Sequence, residues 1–341
     1  MMQSAIGPAL SGKQVLFFAP SFFGYDRVIA EGMEKLGAQV RCYDALAVTS
    51  AWARALLKVL PHAFDRRADA YFRRIIAENA GRDFDYILIV KGNMVTQASI
   101  RRLRAAFPRA KVCLHLYDGL GNVPAVVDRI GLYDYATSFD RLDCQRDARL
   151  HFRPLFYADH FAAQNQMGEM RYDLAFCGTI HSDRYAVLRK IEAQCREKGW
   201  RYASFYYLQS RFIYWFYRAT KREFRGTKKG DFSYEKKPQA EIAALEKSAR
   251  AIIDIQHPRQ TGLTMRTIEM LGMGKKLITT NSDIVHYDFY DPANICVIDR
   301  GNARIDEAFI RAPYRAPERA IYEKYSLSRW ILDVLGEEQA E

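Results

Sequence analysis

The sequence predicts an α/β protein with two similar domains, each built around a parallel sheet. Short apolar, β-branched or aromatic runs alternate along the chain with stretches of helical period, which is the pattern of βαβ units. The pattern restarts in the second half, and 341 residues are enough for two domains of ordinary size. We therefore expect about five strands in each half.

The strands of the first half are expected where short apolar runs stand between polar stretches. They are Val15–Ala19, Gln39–Tyr43, Tyr86–Val90, Val112–Leu116 and Tyr135–Ser138. Helices are expected between them at Arg27–Leu36, which stops at Gly37, and at Ser99–Ala106, which stops before a proline. The long amphipathic stretch Ala51–Asn79 predicts two helices broken near Pro61.

The second half repeats this arrangement. Its expected strands are Leu174–Cys177, Tyr202–Phe205, Ala251–Ile255, Lys276–Thr279 and Ile295–Ile298. The join between the domains is expected within His151–Arg171, which has no clean period, so the predicted domains are residues 1–160 and 161–320. An amphipathic helix, Tyr322–Leu335, lies in the remaining segment 321–341 and is expected to cross back to the first domain.

The composition favours a folded chain with an anionic partner. Hydrophobic residues at 49% and charged residues at 27% are close to the globular average, which excludes a disordered, collagen-like or disulfide-scaffold chain. The net charge of +11 would suit nucleotide phosphates, nucleic acid or an acidic lipid surface. Six cysteines without a Cys-x-x-Cys pair indicate neither a zinc ribbon nor a redox motif. No window reaches about 18 uninterrupted apolar residues, so no transmembrane helix is expected.

An aromatic and basic segment interrupts the pattern at residues 200–230. Between Arg211 and Lys229 it carries seven basic residues and one acidic residue, for a local charge of +6. Aromatic rings beside cations suit the headgroup layer of an anionic membrane, and they also suit nucleic acid. A third interpretation is an aromatic core followed by a solvated loop. On the first interpretation, the predicted membrane contacts are Trp215, Arg218, Lys221 and Arg222.

The stretch from Asp254 to Asn281 carries most of the predicted chemistry. A buried strand is followed by a polar loop with Gly262, then by a helix expected to begin at Leu263. Free N–H groups and the helix dipole at such a point attract a phosphate, while Glu269 could accept hydrogen bonds from ribose hydroxyls. The expected donor-binding residues here are His257, Thr261, Gly262, Leu263, Thr264, Arg266 and Glu269.

This stretch resembles the donor-binding segment of GT-B glycosyltransferases. That segment carries Glu-x7-Glu with a Gly-Leu pair after the first glutamate; here Glu269 matches the second glutamate, and Thr261 stands in place of the first. The departure leaves retention or inversion of the sugar open. Further pieces look like bacterial lipopolysaccharide or capsule glycosyltransferases. They are Lys91-Gly92, Leu116–Asp118, Ser138–Asp143, Phe152–Tyr157 and Phe176–Tyr185.

The resemblance implies a GT-B fold, in which two Rossmann-like α/β domains face each other across a cleft. The first domain would lie on the acceptor side, and the second would bind the nucleotide-sugar. In such a fold Gly178 and Thr179 would face the donor diphosphate, with Arg184 the nearest cation and Arg266 an alternative clamp. A helix cap and a surface arginine are the competing interpretation.

Asp118 is the best candidate for the base that an inverting enzyme needs. It ends an apolar strand and precedes the flexible Gly119–Asn122 loop, although an Asx turn would explain the same residue. Asp26 and Asp140 are weaker candidates. Lys91 ends the neighbouring strand and could contact acceptor or phosphate.

We expect no metal and no bound cofactor. The histidines show neither His-x3-His nor His-Glu-x-x-His spacing, and no Gly-x-Gly-x-x-Gly follows the first strand. The sequence thus predicts a glycosyltransferase that moves sugar from a nucleotide-sugar to a lipid-linked or saccharide acceptor of a surface polysaccharide. It would be cytoplasmic and peripheral at the inner face of the plasma membrane. The alternatives are a nucleotide-sugar epimerase-like enzyme and a non-enzymatic basic protein that binds nucleic acid or polysaccharide.

Overall fold

A computed structural model describes residues 7–21, 24–46, 64–163 and 169–337, and divides the chain into two compact units. Unit 1 takes the chain up to Leu155 together with the residues from Ser326 onward. Unit 2 is the continuous segment Phe156–Tyr325. The C-terminal helix of the described chain therefore belongs to the unit that the N-terminal half builds.

Unit 1 is built on a six-stranded sheet in which every pair of neighbouring strands is parallel. The strands are β1 (Gln14–Ala19), β2 (Gln39–Asp44), β3 (Tyr86–Val90), β4 (Lys111–Leu116), β5 (Tyr135–Ser138) and β6 (His151–Phe152). Their order across the sheet is β2-β1-β3-β4-β5-β6. The middle strands are buried along almost their whole length, as parallel strands covered on both faces are.

Helices cover both faces of this sheet. They are α1 (Tyr25–Lys35), α2 (Asp65–Glu78), α3 (Gln97–Ala106), the 3₁₀ segments Leu120–Asn122 and Pro124–Leu132, α4 (Arg141–Arg146) and, at the end of the described chain, α11 (Leu327–Leu335). Helices α2 and α3 pack their apolar residues onto the sheet in one core. Helices α1 and α11 touch each other at Gly32, where an added Cβ would lie 2.8 Å from side-chain carbons of Leu327 and Ile331.

Unit 2 repeats the design with five parallel strands in the order β11-β10-β9-β7-β8. The strands are β7 (Tyr172–Thr179), β8 (Tyr202–Tyr207), β9 (Ala249–Asp254), β10 (Lys276–Thr279) and β11 (Ile295–Val297). The helices are α5 (Arg184–Lys198), α6 (Arg211–Thr220), α7 (Gln239–Lys247), α8 (Met265–Met273), α9 (Glu307–Arg311) and α10 (Arg319–Lys324). Short 3₁₀ turns also occur at Asp159–Phe161, Arg222–Phe224, Lys229–Asp231 and Ser282–His286.

The predicted fold class, two α/β domains on parallel sheets, is confirmed. All ten predicted strands are present: three have the predicted bounds, four are one or two residues longer, and the other three differ at one or both ends. The predicted helix Tyr322–Leu335 is wrong as one element, because Ser326 separates α10 from α11 and its side chain caps α11. Of the predicted pair in Ala51–Asn79, only α2 falls in the described part of the chain, and residues 47–63 lie outside it.

Candidate functional site

Two arginine side chains converge on Gly178, at the carboxyl end of β7 in unit 2. A Cβ added to Gly178 would lie 3.3 Å from Arg266 Nη1, 3.6 Å from Arg184 Nη1 and 3.1 Å from the ring of Phe176. Arg184 is the first residue of α5, and Arg266 lies in the first turn of α8. The structure thus brings both predicted phosphate clamps to one place, where the absence of a side chain leaves room for them. Two adjacent guanidinium groups are well suited to an anion with several oxygens.

Backbone carbonyls fix the position of Arg184. Its Nε donates to the carbonyl of Ile255 at 2.6 Å, and its Nη1 donates to the carbonyl of Thr179 at 2.7 Å. These bonds join the loops that follow β7 and β9. Burial lowers the pKa of Arg184 to about 10, so the side chain still carries its charge at neutral pH.

A buried glutamate holds Arg266. Glu246, on α7, is 1% exposed, and its Oε1 lies 3.0 Å from Arg266 Nε. Burial raises the pKa of Glu246, although Arg266 opposes the rise. Burial alone would lower the pKa of Arg266, but Glu246 and then Asp254 outweigh it and raise that pKa. The sequence does not indicate Glu246, since a glutamate in a short helix gives no sign that it faces inward.

The N-terminus of α8 is capped by groups of the protein itself. Thr264 is the N-cap residue and accepts a hydrogen bond from the N–H of Thr267. The buried carboxylate of Asp254 accepts hydrogen bonds from both hydroxyls, at 2.6 Å from Thr264 and 3.0 Å from Thr267. The helix therefore begins two residues later than expected, and Thr264 holds a structural hydrogen bond at the predicted donor site. Asp254 was named at sequence level only as the start of the segment.

The loop between β9 and α8 is held by hydrogen bonds within itself and to Asn281, which follows β10. The carbonyl of Thr261 accepts from Asn281 Nδ2 at 2.9 Å, and the carbonyl of Gly262 accepts from Gln260 Nε2 at 3.0 Å. Gly262 and Leu263 are buried. Such bonds hold the loop in one conformation next to the arginine pair, which favours preorganised binding.

His257 is an exposed residue of that loop with a defined hydrogen-bonding state. Its Nδ1 lies 3.2 Å from the N–H of Arg259, which places the ring proton on Nε2 as long as the imidazole is neutral. The ring lies 5.7 Å from the ring of His181, centroid to centroid. Burial, and then the charge of Arg184, lower the pKa of His181 to about 4. His181 is therefore neutral at physiological pH.

Two other residues of unit 2, Glu269 and Arg300, have a buried and a bridging side chain respectively. Glu269 lies on α8 and is 6% exposed. Arg300, which the sequence did not indicate, donates to both oxygens of Asp183 at 2.8 and 3.0 Å and to the carbonyl of Gln256 at 2.7 Å. Arg300 therefore links the loop after β7 to the loop after β9, because one of its terminal nitrogens binds Asp183 and the other binds Gln256.

In unit 1, Lys91 and Asp118 form an ion pair at the carboxyl ends of β3 and β4. The distance between Lys91 Nζ and Asp118 Oδ2 is 2.6 Å, and the two side chains are 29% and 38% exposed. Lys91 has a φ of 76°, in the left-handed region that only glycine adopts without cost. Backbone strain at an exposed charged pair is typical of a functional position.

The other two candidate bases have structural partners. Asp140 caps α4 by accepting from the N–H of Leu142 at 2.9 Å, and it is 4% exposed. Asp26 lies in the first turn of α1, where the hydroxyl of Ser21 donates to it at 3.3 Å. Neighbouring Asp143, which is also buried, accepts from the N–H of Leu120, and burial followed by Asp140 raises its pKa. Asp118 and Asp26 are both partly exposed, whereas Asp140 is buried.

The aromatic and basic segment forms α6 and the turns after it. Trp215 is 51% exposed, and Arg222 is exposed. Arg218 donates to the carbonyl of Thr227 at 2.5 Å, and Lys221 donates to the carbonyl of Ser182. Of the four predicted membrane contacts, two thus also serve to hold the segment in place.

One sequence motif argues against the expectation that the protein binds no metal. Asp83-Phe84-Asp85 is an Asp-x-Asp sequence, the pattern that often holds a divalent ion on a diphosphate. It precedes β3 at the amino end of the sheet, where Asp85 accepts from the N–H of Gln14 and pairs with Lys13 at 3.2 Å. Among the residues that the structure describes, no three His, Cys, Asp or Glu side chains are grouped to hold a metal ion. Within the same ranges, no helix has the length and apolarity needed to cross a membrane.

These two units have the GT-B fold, and solved structures of that fold resemble the whole chain. A glycosyltransferase from Rickettsia africae ESF-5 matches with a TM-score of 0.58 at 13% identity, over 95% of this chain and 98% of that one. HepE from Anabaena, solved with UDP and glucose, matches with a TM-score of 0.55 at 12% identity, over 95% and 99%. MnaA from S. aureus, solved with UDP, gives 0.54 at 10% identity, over 96% and 98%. By sequence, no family model and no curated protein matches the chain. The likeness is one of fold.

Proposed function

We propose that the protein is a glycosyltransferase that takes its sugar from a nucleotide-sugar. The observation that carries the proposal is the convergence of Arg184 and Arg266 on Gly178, at the carboxyl end of a parallel sheet. In open α/β sheets this end is where nucleotides bind. The similar structures add support, since two of those described above were solved with UDP.

The two arginines would act on the leaving group. In the transfer, an acceptor hydroxyl oxygen forms a bond to the anomeric carbon, while the bond from that carbon to the diphosphate oxygen breaks. The diphosphate leaves with the electron pair and gains negative charge. Guanidinium groups already fixed by Glu246 and by backbone carbonyls can stabilise that charge without reorganising, an effect of about 10²–10³ in rate for each such donor in known enzymes.

The remaining roles follow the resemblance described from the sequence. Glu269 would bind the ribose hydroxyls, His257 would donate its Nε2–H to the donor sugar or phosphate, and Asp118 would take the acceptor proton in an inverting reaction. Thr261 stands where retaining relatives have a glutamate, so the stereochemical course is left open. The acceptor we propose is a lipid-linked or saccharide intermediate of a surface polysaccharide, such as lipopolysaccharide or capsule, used at the inner face of the plasma membrane.

A thermal-shift panel tests the donor site. The full chain is heated with UDP, GDP, CDP, dTDP or CMP, alongside Glu269→Ala and Arg184→Gln. A nucleotide at 100 times its Kd stabilises the folded state by about 2.7 kcal/mol, which corresponds to several degrees. We expect nucleotides of one nucleobase to raise the unfolding temperature of the wild type, and both variants to reduce that rise. If no nucleotide shifts the wild type at millimolar concentration, the proposal is wrong.

Product analysis separates transfer from the alternatives. With the nucleotide-sugar alone, a transferase returns the donor unchanged or slowly hydrolysed, whereas an epimerase-like enzyme converts it to an isomeric nucleotide-sugar that NMR detects. A basic binding protein would show no nucleotide affinity and a steep salt dependence of polyanion binding. We also propose that transfer needs no metal, so EDTA should leave the rate unchanged. A rate restored only by Mg²⁺ or Mn²⁺ would contradict that part.

A further inference from the structure

Helix α6 turns three aromatic side chains towards solvent on one face. Phe212 is 77% exposed, Trp215 is 51% exposed and Phe216 is 54% exposed. Their spacing of three and four residues places them side by side on a helix. Elsewhere in the described chain, exposed large apolar side chains occur singly, at Phe152 and Val285. A contiguous patch of this kind marks an interaction surface.

The opposite face of α6 is anchored in the core of unit 2. Tyr214 is 1% exposed, and its hydroxyl donates to the carbonyl of Thr227 at 2.9 Å. The ring of Tyr217 packs 5.1 Å from that of Phe224, and Tyr214 lies 5.8 Å from Phe232. The helix is therefore fixed to the sheet domain by its inner aromatics, and its outer aromatics form a preformed surface.

Exposed cations accompany these rings in the same segment of the chain. The segment 211–229 has a net charge of +6, and its exposed basic residues include Arg211, Arg222, Arg225, Lys228 and Lys229. Lys229 Nζ lies 4.8 Å from the centre of the Trp215 ring. Exposed aromatic rings and exposed cations thus belong to one short segment, a combination suited to a helix that lies in the interface of an anionic membrane.

We propose that this face of α6 docks on an anionic lipid bilayer, with Phe212, Trp215 and Phe216 inserted among the headgroups. A bilayer accepts projecting phenylalanine rings without a matching pocket. A second copy of the same face would bring two surfaces of charge +6 together, which disfavours self-association. Single-stranded nucleic acid is usually bound along a groove, whereas these rings stand on a convex helix. The inference deepens the membrane location proposed above but requires no sugar transfer.

Vesicle binding of the full chain tests the proposal. Binding is measured by co-sedimentation with phosphatidylcholine vesicles, with and without phosphatidylglycerol. We expect binding only with phosphatidylglycerol, weakened by salt. The triple variant Phe212→Ser/Trp215→Ser/Phe216→Ser should bind about a hundredfold more weakly. The matched control, Phe152→Ser, removes an exposed aromatic from unit 1 and should bind like the wild type.

Two further variants separate the contribution of the cations to vesicle binding from that of the aromatic rings. Arg222→Gln/Arg225→Gln keeps the rings and should weaken binding about fivefold for each cation, about 25-fold together. Trp215→Phe keeps an apolar ring and should bind almost normally, but it should lose the change in tryptophan emission on vesicle binding. Trp200 and Trp330 are buried, so they are poor reporters of this surface. These two variants test the proposal even if the triple variant does not fold.

Three results would overturn the proposal. One is vesicle binding by a folded triple variant at wild-type strength. Another is a dimer of the wild type in analytical ultracentrifugation that the triple variant abolishes. The third is tight binding of single-stranded DNA, lost in the triple variant, without binding to anionic vesicles. The nucleotide thermal shift of the triple variant should equal that of the wild type, so failure here and failure of the proposed donor site are distinguishable.

Discussion

The carboxyl ends of the two sheets carry opposite electrostatic designs. In unit 1, Lys91 and Asp118 neutralise each other as an exposed pair on a strained backbone. In unit 2, the like charges of Arg184 and Arg266 both lie near Gly178. The carbonyl of Ile255 holds Arg184, and the carboxylate of Glu246 holds Arg266. The Lys91–Asp118 pair carries no net charge, whereas the positive charge beside Gly178 is offset only in part, by Glu246 next to Arg266. The same fold thus carries an ion pair at one sheet edge and two neighbouring cations at the other.

Removing Arg266 should have the largest effect on unit 2. Arg266→Met leaves Glu246 buried without its partner, which costs about 3–5 kcal/mol in the free energy of unfolding. A carboxyl group whose pKa is higher in the folded state takes up a proton on folding, so the deficit should shrink as the pH falls. Urea unfolding across the acidic range measures it.

The double variant Arg266→Met/Glu246→Leu separates stability from binding. It should recover most of the lost stability, because no charge is left buried, but it should not recover the nucleotide thermal shift. Recovery of both would mean that Arg266 only balances Glu246 and has no part in anion binding.

Asp118→Asn should have the largest effect on unit 1. If Asp118 accepts the acceptor proton, the rate of transfer should fall by about 10² or more, since general base catalysis contributes that much. The thermal shift by the donor nucleotide should not change. Transfer is followed with the nucleotide-sugar identified by the thermal-shift panel, and a loss below about threefold would remove Asp118 from the reaction.

Gly178→Ala should weaken the anion site without unfolding it. The added methyl would lie 3.3 Å from Arg266 Nη1 and 3.1 Å from the Phe176 ring, so at least one of them must move. We expect nucleotide affinity to fall about tenfold, or about 1.4 kcal/mol. Isothermal titration gives the affinity. Gly230→Ala is the matched control, because its added methyl meets nothing within 4 Å; equal affinities for both variants would contradict the crowding argument.

Lys91 should show the smallest effect. Lys91→Gly and Lys91→Ala both remove the ammonium group, but only glycine adopts a φ of 76° without cost. The glycine variant should therefore be about 1 kcal/mol more stable than the alanine variant in urea unfolding. If the two variants were equally stable, the backbone at Lys91 would not be strained.

The strands could be predicted because a parallel strand buried on both faces is a continuous apolar run. The strand Tyr86–Val90 could be predicted without knowing which strands lie beside it, and the structure has a strand with the same bounds. Gly178, Arg184 and Arg266 were implied by the resemblance to GT-B glycosyltransferases, and the structure brings the three residues together. The residues that hold the arginine side chains in place could not be predicted. Glu246 meets Arg266 from 20 residues away, and Asp183 meets Arg300 from 117 residues away, so only tertiary packing reveals the pairs.

The path of the chain has a consequence for folding during synthesis. Unit 2 is completed by Tyr325, but the core of unit 1 still lacks α11, whose Trp330 and Ile331 are fully buried and whose Asp333 pairs with Arg153 at 2.7 Å. The half that leaves the ribosome first is therefore the half that finishes folding last. While the second half is made, the surface that α11 will cover remains open to chaperones, and to aggregation.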